Sequence, residues 1–227
     1  VGEVYSTVVK VRMLRIAHIA DVHVRNLSRH DEFRHVFIDF VKQCKEKNVE
    51  HIFIGGDSFH TKTSGMSPEC INFMCWWLTA LAEVAEVHVT LGNHDFNLMN
   101  KTRQDAISPI VEAIDNPRVH LYKFSGTYEI VPGYILGVYS LFDPENWENV
   151  RPVPNKVNIA CYHGPVSGAM TESNWLIEDG ITVDFFKGWD FVLLGDIHKL
   201  QFLGARDVVL EIDEQDLHRY PGAEVLS

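Results

Sequence analysis

The sequence has no Cys-x-x-Cys pair. Its four cysteines stand at 44, 70, 75 and 161, a spacing that offers neither a zinc ribbon nor a thioredoxin-like redox pair. Each is read as a small core hydrophobe with a reduced thiol, which favours a cytoplasmic setting. No apolar run approaches the ~20 residues of a membrane-spanning helix. No cationic stretch followed by an apolar core opens the chain, so neither a membrane partner nor a secretory leader is expected. Repeats, low-complexity tracts and linkers are also lacking, which predicts a single domain over 1–227. Cations are scarce: Lys+Arg is 20 against Asp+Glu 31, a net charge of −11. That balance excludes a protein that coats nucleic acid by charge alone. It does not exclude a nuclease, because divalent cations reverse the local charge of an acidic site.

Histidine, by contrast, is plentiful, with 12 in 227 residues. The elements predicted around the histidines give them meaning. Met13–Ala20 reads as a buried strand ending at Asp21-Val22-His23. Over Asp31–Asn48, residues Phe33, Val36, Phe37, Phe40, Val41 and Cys44 recur at helical spacing. His51–Ile54 is a short strand that runs into Gly55-Gly56-Asp57. Pro68–Ala85 predicts a second helix, with Pro68 suited to its first turn and Ile71, Met74, Trp77, Leu78 and Leu81 as its stripe. Trp76 and Trp77 are read as helix packing rather than base stacking. Val87–Leu91 predicts a strand ending at Gly92-Asn93-His94-Asp95. This alternation predicts a parallel sheet in the first half.

The second half reads as richer in strands. Tyr128–Val131 and Tyr134–Tyr139 flank Pro132-Gly133, a hairpin turn. Val157–Tyr162 ends at His163-Gly164, and Phe191–Leu194 ends at Gly195-Asp196-Ile197-His198. Gln201–Leu203 and Val208–Ile212 complete the predicted strands. The expected fold class is α/β, with two packed mixed β-sheets flanked by helices.

Five groups of candidate ligands therefore follow five predicted strands: Asp21-x-His23, Gly56-Asp57, Gly92-Asn93-His94-Asp95, His163-Gly164 and Gly195-Asp196-x-His198. Ligands in open α/β sheets bind beyond the carboxyl ends of strands, so five such groups can converge. Imidazoles, carboxylates and one amide suit divalent metals. Two metals about 3.5–4 Å apart would clamp a phosphate and activate a water.

In this order the groups resemble the signature of the calcineurin-like metallophosphoesterase superfamily: D-x-H, G-D, G-N-H-D, H and G-H-x-H. The resemblance spans Asp21 to His198. It implies a four-layer sandwich, phosphoester hydrolysis and two divalent metal ions. It implies that Asp21, His23, Asp57 and His198 hold one metal. Asp57, Asn93, His163 and Asp196 would hold the other, with Asp57 bridging. His94 would contact the phosphate as general acid, and Asp95 would orient it. Asp196 stands where the family has His. This harder donor favours Mn2+, with Mg2+ as the second choice; the alternative is a weakened second site.

Finer segments resemble one branch. Gly55-Gly56-Asp57-Ser58-Phe59-His60 is similar to the G-G-D-x-F-H segment of SbcD-type DNA repair exonucleases, which implies that His60 positions the scissile phosphate. Leu194–Lys199 is similar to the G-D-I-H-K of phage-type members. Tyr162–Gly168 and Tyr220-Pro221-Gly222 resemble segments of the same branch. The implied function is a Mn2+-dependent DNA exonuclease and endonuclease of repair or recombination. Its implied partners are DNA, an SbcC-type ATPase subunit and a second copy of the chain. The implied setting is the cytoplasm, or the host cytoplasm for a phage-encoded member. The capping domain and ATPase-binding helical segment of that branch are not visible in 1–227.

Two other readings stand beside it: a small-molecule or cyclic-nucleotide phosphodiesterase, and a non-catalytic metal-holding scaffold. The intact Asn93-His94-Asp95 argues against the scaffold. His18 is read as a hydrogen-bonded core residue. His30, His35, His51, His88, His120 and His218 are read as structural or surface residues. Lys199 suits a phosphate or solvent equally. The polar segment 62–67 is a connector or a substrate border, and Asp213–Asp216 is a solvated acidic loop.

Overall fold

The computed structural model describes residues 13–60, 65–199, 201 and 203. The expected strand Val208–Ile212, Asp213–Asp216, His218 and Tyr220-Pro221-Gly222 lie outside the described residues, as do residues 62–64 of the 62–67 segment. Four short, mainly apolar strands form one parallel sheet in the order β1-β2-β3-β4: Ile16–Ile19 (β1), His51–Gly55 (β2), Glu86–Thr90 (β3) and Val119–Tyr122 (β4). Parallel neighbours need crossovers. Helices His30–Glu46 (α1), Pro68–Ala82 (α2) and Ser108–Ile114 (α3) supply them. The parallel first half is as the sequence predicts, while α3 and β4 were not anticipated. The second sheet has the order β5-β6-β7-β8: Gly126–Val131 (β5), Tyr134–Tyr139 (β6), Val157–His163 (β7) and Phe191–Gly195 (β8). β5 and β6 are antiparallel across Pro132-Gly133, where the φ of 95° at Gly133 suits glycine. β6, β7 and β8 are parallel, so this sheet is mixed.

The pleat sorts the strand residues between layers. Ile52, Ile54, Val87 and Val89 pack on the helices with Phe37, Met74, Trp77 and Leu81. From the opposite face, Phe53 meets Leu136, Val138, Ile159, Cys161 and Leu193 between the sheets. Tyr139, Ala160, Tyr162 and Val192 face outward and are covered by Val150, Phe186 and Trp189. Among the described residues that outer cover is loops and two short 3-10 helices, Pro144–Asn149 and Val183–Phe186, rather than α-helices. The four cysteines are free, and three are buried.

Two predicted helix faces need correction. Val36 is 63% exposed and Ile71 37% exposed. Each residue turns ~100° around the axis. The stack of Phe37 on Trp77, with centroids 3.9 Å apart, sets the α1–α2 contact and turns Val36 outward. Ser67 caps α2 by accepting the Cys70 N–H at 3.2 Å, and Pro68 occupies the first turn. Gln201 and Leu203 are not in a strand.

The histidines at 51, 88 and 120 are structural, and they are linked. His51 Nδ1 lies 2.8 Å from His88 Nε2, and His88 Nδ1 lies 2.9 Å from the Tyr122 hydroxyl. His120 Nε2 meets Glu86 at 2.9 Å, and Arg118 Nε meets the same carboxylate at 3.0 Å. Parallel register aligns His88 with His120 and with Phe53. Burial lowers His88 to about 3, so its ring is neutral at pH 7. No helix among the described residues is long and apolar enough to cross a membrane.

Candidate metal centre

The carboxyl ends of both sheets open on the same side, and the five predicted groups meet there. Asp21 and His23 follow β1. Asp57 and His60 follow β2. Asn93, His94 and Asp95 follow β3. His163 ends β7, and Asp196 and His198 follow β8. Asp21, His23, Asp57 and Asp196 have positive φ, at 54°, 49°, 52° and 75°. This left-handed conformation is uncommon outside glycine. The surrounding backbone holds it. Asp21 N–H donates to the Gly56 carbonyl at 3.1 Å, His23 N–H to Asp57 at 3.0 Å, and Val24 N–H to Ser58 at 2.9 Å. The first two loops thus run zipped side by side. Strained backbone of this kind concentrates at functional sites. Glycine at 92 is a packing requirement, because a β-carbon there would collide with the Asp57 carboxylate.

Asp57 lies at the centre and is buried. Its Oδ1 accepts the His94 N–H at 2.8 Å and lies 3.3 Å from His163 Nε2. Its Oδ2 lies 3.7 Å from His23 Nε2 and 3.9 Å from His94 Nε2. Burial pushes Asp57 up, but His163 and the His94 N–H outweigh it and hold the carboxyl below its ordinary range. Burial raises Asp21 and Asp196. Burial would lower His163, but Asp57 and Asp21 overcome it and push His163 up to about 9.

The tautomers fit a metal. His163 Nδ1–H donates to the Gly55 carbonyl at 2.7 Å, so Nε2 is the ring atom that faces Asp57; a cation held there would replace the proton that Asp57 and Asp21 favour in its absence. That Nε2, and His23 Nδ1, are buried atoms with no hydrogen-bond partner among the described residues. Among the described residues, three overlapping groups bring donor atoms within 4.8 Å of one another: Asp21, His23 and His198; His23, Asp57 and His94; and Asp21, Asp57 and His163. Asp196 lies outside these groups. Its backbone N–H donates to Asp21 at 2.9 Å, and its side chain accepts from Asn93 Nδ2 at 3.2 Å. Asn93 and Asp196 therefore sit together at the flank of the cluster.

His94 and His60 are neighbours, with ring centroids 6.3 Å apart. His94 Nδ1–H donates to the His60 carbonyl at 2.9 Å. His60 is exposed, and its N–H donates to the Val24 carbonyl at 3.1 Å. Asp95 does not take the place expected for it. Its carboxylate accepts the Gly92 N–H at 2.9 Å and the Phe59 N–H at 3.3 Å, away from the His94 ring. Burial pushes Asp95 up to about 7. His18 is partly buried, and its buried Nε2 finds no hydrogen-bond partner among the described residues, contrary to expectation.

The sequence reading did not anticipate the hairpin that borders the site. A cleft of about 240 Å3 is lined by Asp21, His198 and Lys199 together with Glu172, which lies more than twenty residues earlier than Lys199 in the chain. Lys199 is not free in solvent; its ammonium donates to Asn174 Oδ1.

A family model described as calcineurin-like phosphoesterase matches residues 14–200. The uncharacterized protein R555 of Acanthamoeba polyphaga mimivirus is 37% identical over 215 residues, covering 88% of this chain. The chain spans only 16% of that relative's length. The solved structure of the nuclease MPE of Pseudomonas putida is similar at 15% identity with a TM-score of 0.40. That likeness covers 71% of this chain and 66% of that one.

Proposed function

Because the chain belongs to the calcineurin-like phosphoesterase family, we propose that the cluster around Asp57 is a two-metal phosphodiesterase centre and that its substrate is DNA. The observation that carries the reading is Asp57 itself. One buried carboxylate faces His23, His94 and His163, each within 3.9 Å, and shares two of the three candidate donor groups. In this reading Asp21, His23, Asp57 and His198 hold one cation. Asp57, Asn93, His163 and Asp196 hold the other. When bound, the cations supply Lewis-acid polarisation of the phosphate and an activated water. A set rich in carboxylate oxygen favours Mn2+, and then Mg2+.

The chain's own residues do the rest. The carbonyl of His60 holds His94 Nδ1–H, which directs Nε2 toward the centre. His94 then delivers a proton from Nε2 to the leaving 3′-oxygen. The exposed His60 ring, 5.8 Å from His23, binds a phosphate oxygen and fixes the diester in line for attack. Asp95 acts indirectly, tying the Gly92 and Phe59 loops together so that His94 and His60 keep their spacing. The choice of DNA rests on the resemblance of Gly55–His60 and Gly195–Lys199 to SbcD-type exonucleases, and on the position of His60 beside His94.

Incubation with Mn2+ and end-labelled duplex DNA, beside bis-p-nitrophenyl phosphate and cyclic AMP, tests the reading. DNA cleavage is expected, and His94→Ala should lose about 10²–10⁴-fold in rate while keeping its metals. A His94→Ala protein that cleaves at the wild-type rate refutes the proton-donor role. Turnover of the small diesters alone would replace DNA with a small-molecule substrate. No turnover of anything, with metals bound, would leave a scaffold.

A further inference from the structure

An exposed apolar side chain standing alone is ordinary, whereas neighbouring ones that form a patch point to an interaction site. Trp175 is 75% exposed and the adjacent Leu176 is 56% exposed. Both sit on a tight hairpin. Ile177 N–H donates to Ala169 at 2.7 Å, Thr171 N–H to Trp175 at 2.9 Å, and Asn174 N–H to Thr171 at 2.9 Å. Trp175 N–H donates to the Thr171 hydroxyl at 3.1 Å. Asn174 makes the turn with a φ of 62°.

The hairpin is fastened to the metal centre from two sides. The Gln201 amide accepts the Met170 N–H and donates to the Met170 carbonyl, both at 2.7 Å, in the manner of a paired strand. Lys199, next to His198, donates to Asn174, next to Trp175. Glu172 of the same turn lines the cleft with Asp21, His198 and Lys199. An exposed indole is thus carried on a hydrogen-bonded turn whose Glu172 lines the cleft that contains two of the proposed metal ligands. The carboxylate of Glu172 disfavours a second phosphate beside the turn and leaves the ring face as its recognition element.

We propose that the 169–177 hairpin is a base-stacking platform, on which Trp175 stacks a base of a single-stranded stretch of the substrate while its scissile phosphate lies at the metal centre. Stacking on an aromatic ring is tolerant of sequence, because every base has a π-face. It also requires an unpaired base, so the platform selects single strands or frayed ends over closed duplex. Pre-ordering of the hairpin means that little freedom is lost when the base docks. Lys199, already held by Asn174, lies between the platform and the centre. The inference rests on the DNA-hydrolase reading above.

The test compares wild type, Trp175→Ala and Trp175→Phe with Mn2+, on a single-stranded thymidine oligonucleotide and on bis-p-nitrophenyl phosphate. Trp175→Ala should lower the oligonucleotide's kcat/KM relative to that of the small diester by about 10-fold, through KM, and Trp175→Phe should restore most of it. In chelator, where nothing turns over, the oligonucleotide should quench wild-type tryptophan fluorescence more than that of Trp175→Ala. A wild type that cleaves the oligonucleotide, with Trp175→Ala equal to it in KM and in quenching, overturns the platform and leaves the DNA reading standing. A wild type that hydrolyses the small diester but neither binds nor cleaves the oligonucleotide overturns both.

Discussion

Asp57 meets two demands at once. It must stay ionised although buried, and it must face several imidazoles without being consumed by one of them. The His94 N–H and His163 provide the first, and the left-handed backbone at position 57 provides the second by turning the carboxylate back toward the centre. Asp57→Asn should therefore bind fewer cations than wild type, counted by mass spectrometry, and should lose more than about 100-fold in hydrolysis. Asp95 answers to a different measurement. Replacing it with Ala strands two buried backbone N–H groups, at Gly92 and Phe59, at about 1–3 kcal/mol each. The urea midpoint should fall in chelator as well as with metal, whereas His94→Ala should leave it in place. The family resemblance implied Asp95 as the group that orients His94. Its actual partners are Gly92, inside the same turn, and Phe59, 36 residues away, and a linear reading has no signal for the second.

Among the elements, the legible ones were those with a strong period or a marked end. Each strand that feeds the site is a short apolar run stopped by glycine or a charged residue, so β1, β2, β3, β7 and β8 could be placed from sequence. α3 is only Ser108–Ile114 and β4 only Val119–Tyr122, too short for a period to emerge, and His120 interrupts the apolar run of β4. The stripe of α1 was read one residue too wide, because periodicity admits both Val36 and Phe37 and only the ring of Trp77 chooses between them. Phe37→Ala should cost about 3–5 kcal/mol of folding stability. Val36→Ala, on the solvent side of the same helix, should change it by less than about 0.5 kcal/mol. Similar losses from the two substitutions would mean that α1 packs through a different face.

At the scale of the whole molecule, the two sheets bury a polar network as well as an apolar core. His88 lies between His51 and Tyr122 with its pKa lowered to about 3. The unfolded chain binds that proton near pH 6.5, and the folded chain does not. Folding stability is therefore fully present above about pH 6.5 and declines as pH falls toward about 3, by roughly 1.4 kcal/mol per unit for one such group. Urea midpoints measured across this range should fall with acidification in wild type and fall less steeply in His88→Leu. An equal slope in both would place the acid sensitivity elsewhere. None of this was visible in sequence, because residues 51, 88 and 122 are joined through strand pairing and not through any local motif.

The phosphodiesterase centre proposed around Asp57 needs two cations. Its most direct test is to strip the protein with chelator and titrate Mn2+ back while following hydrolysis of bis-p-nitrophenyl phosphate. No turnover is expected at the start, and a rise that continues until two equivalents per chain are bound. Turnover that survives complete removal of metal, or none at all once both equivalents are bound, would contradict it.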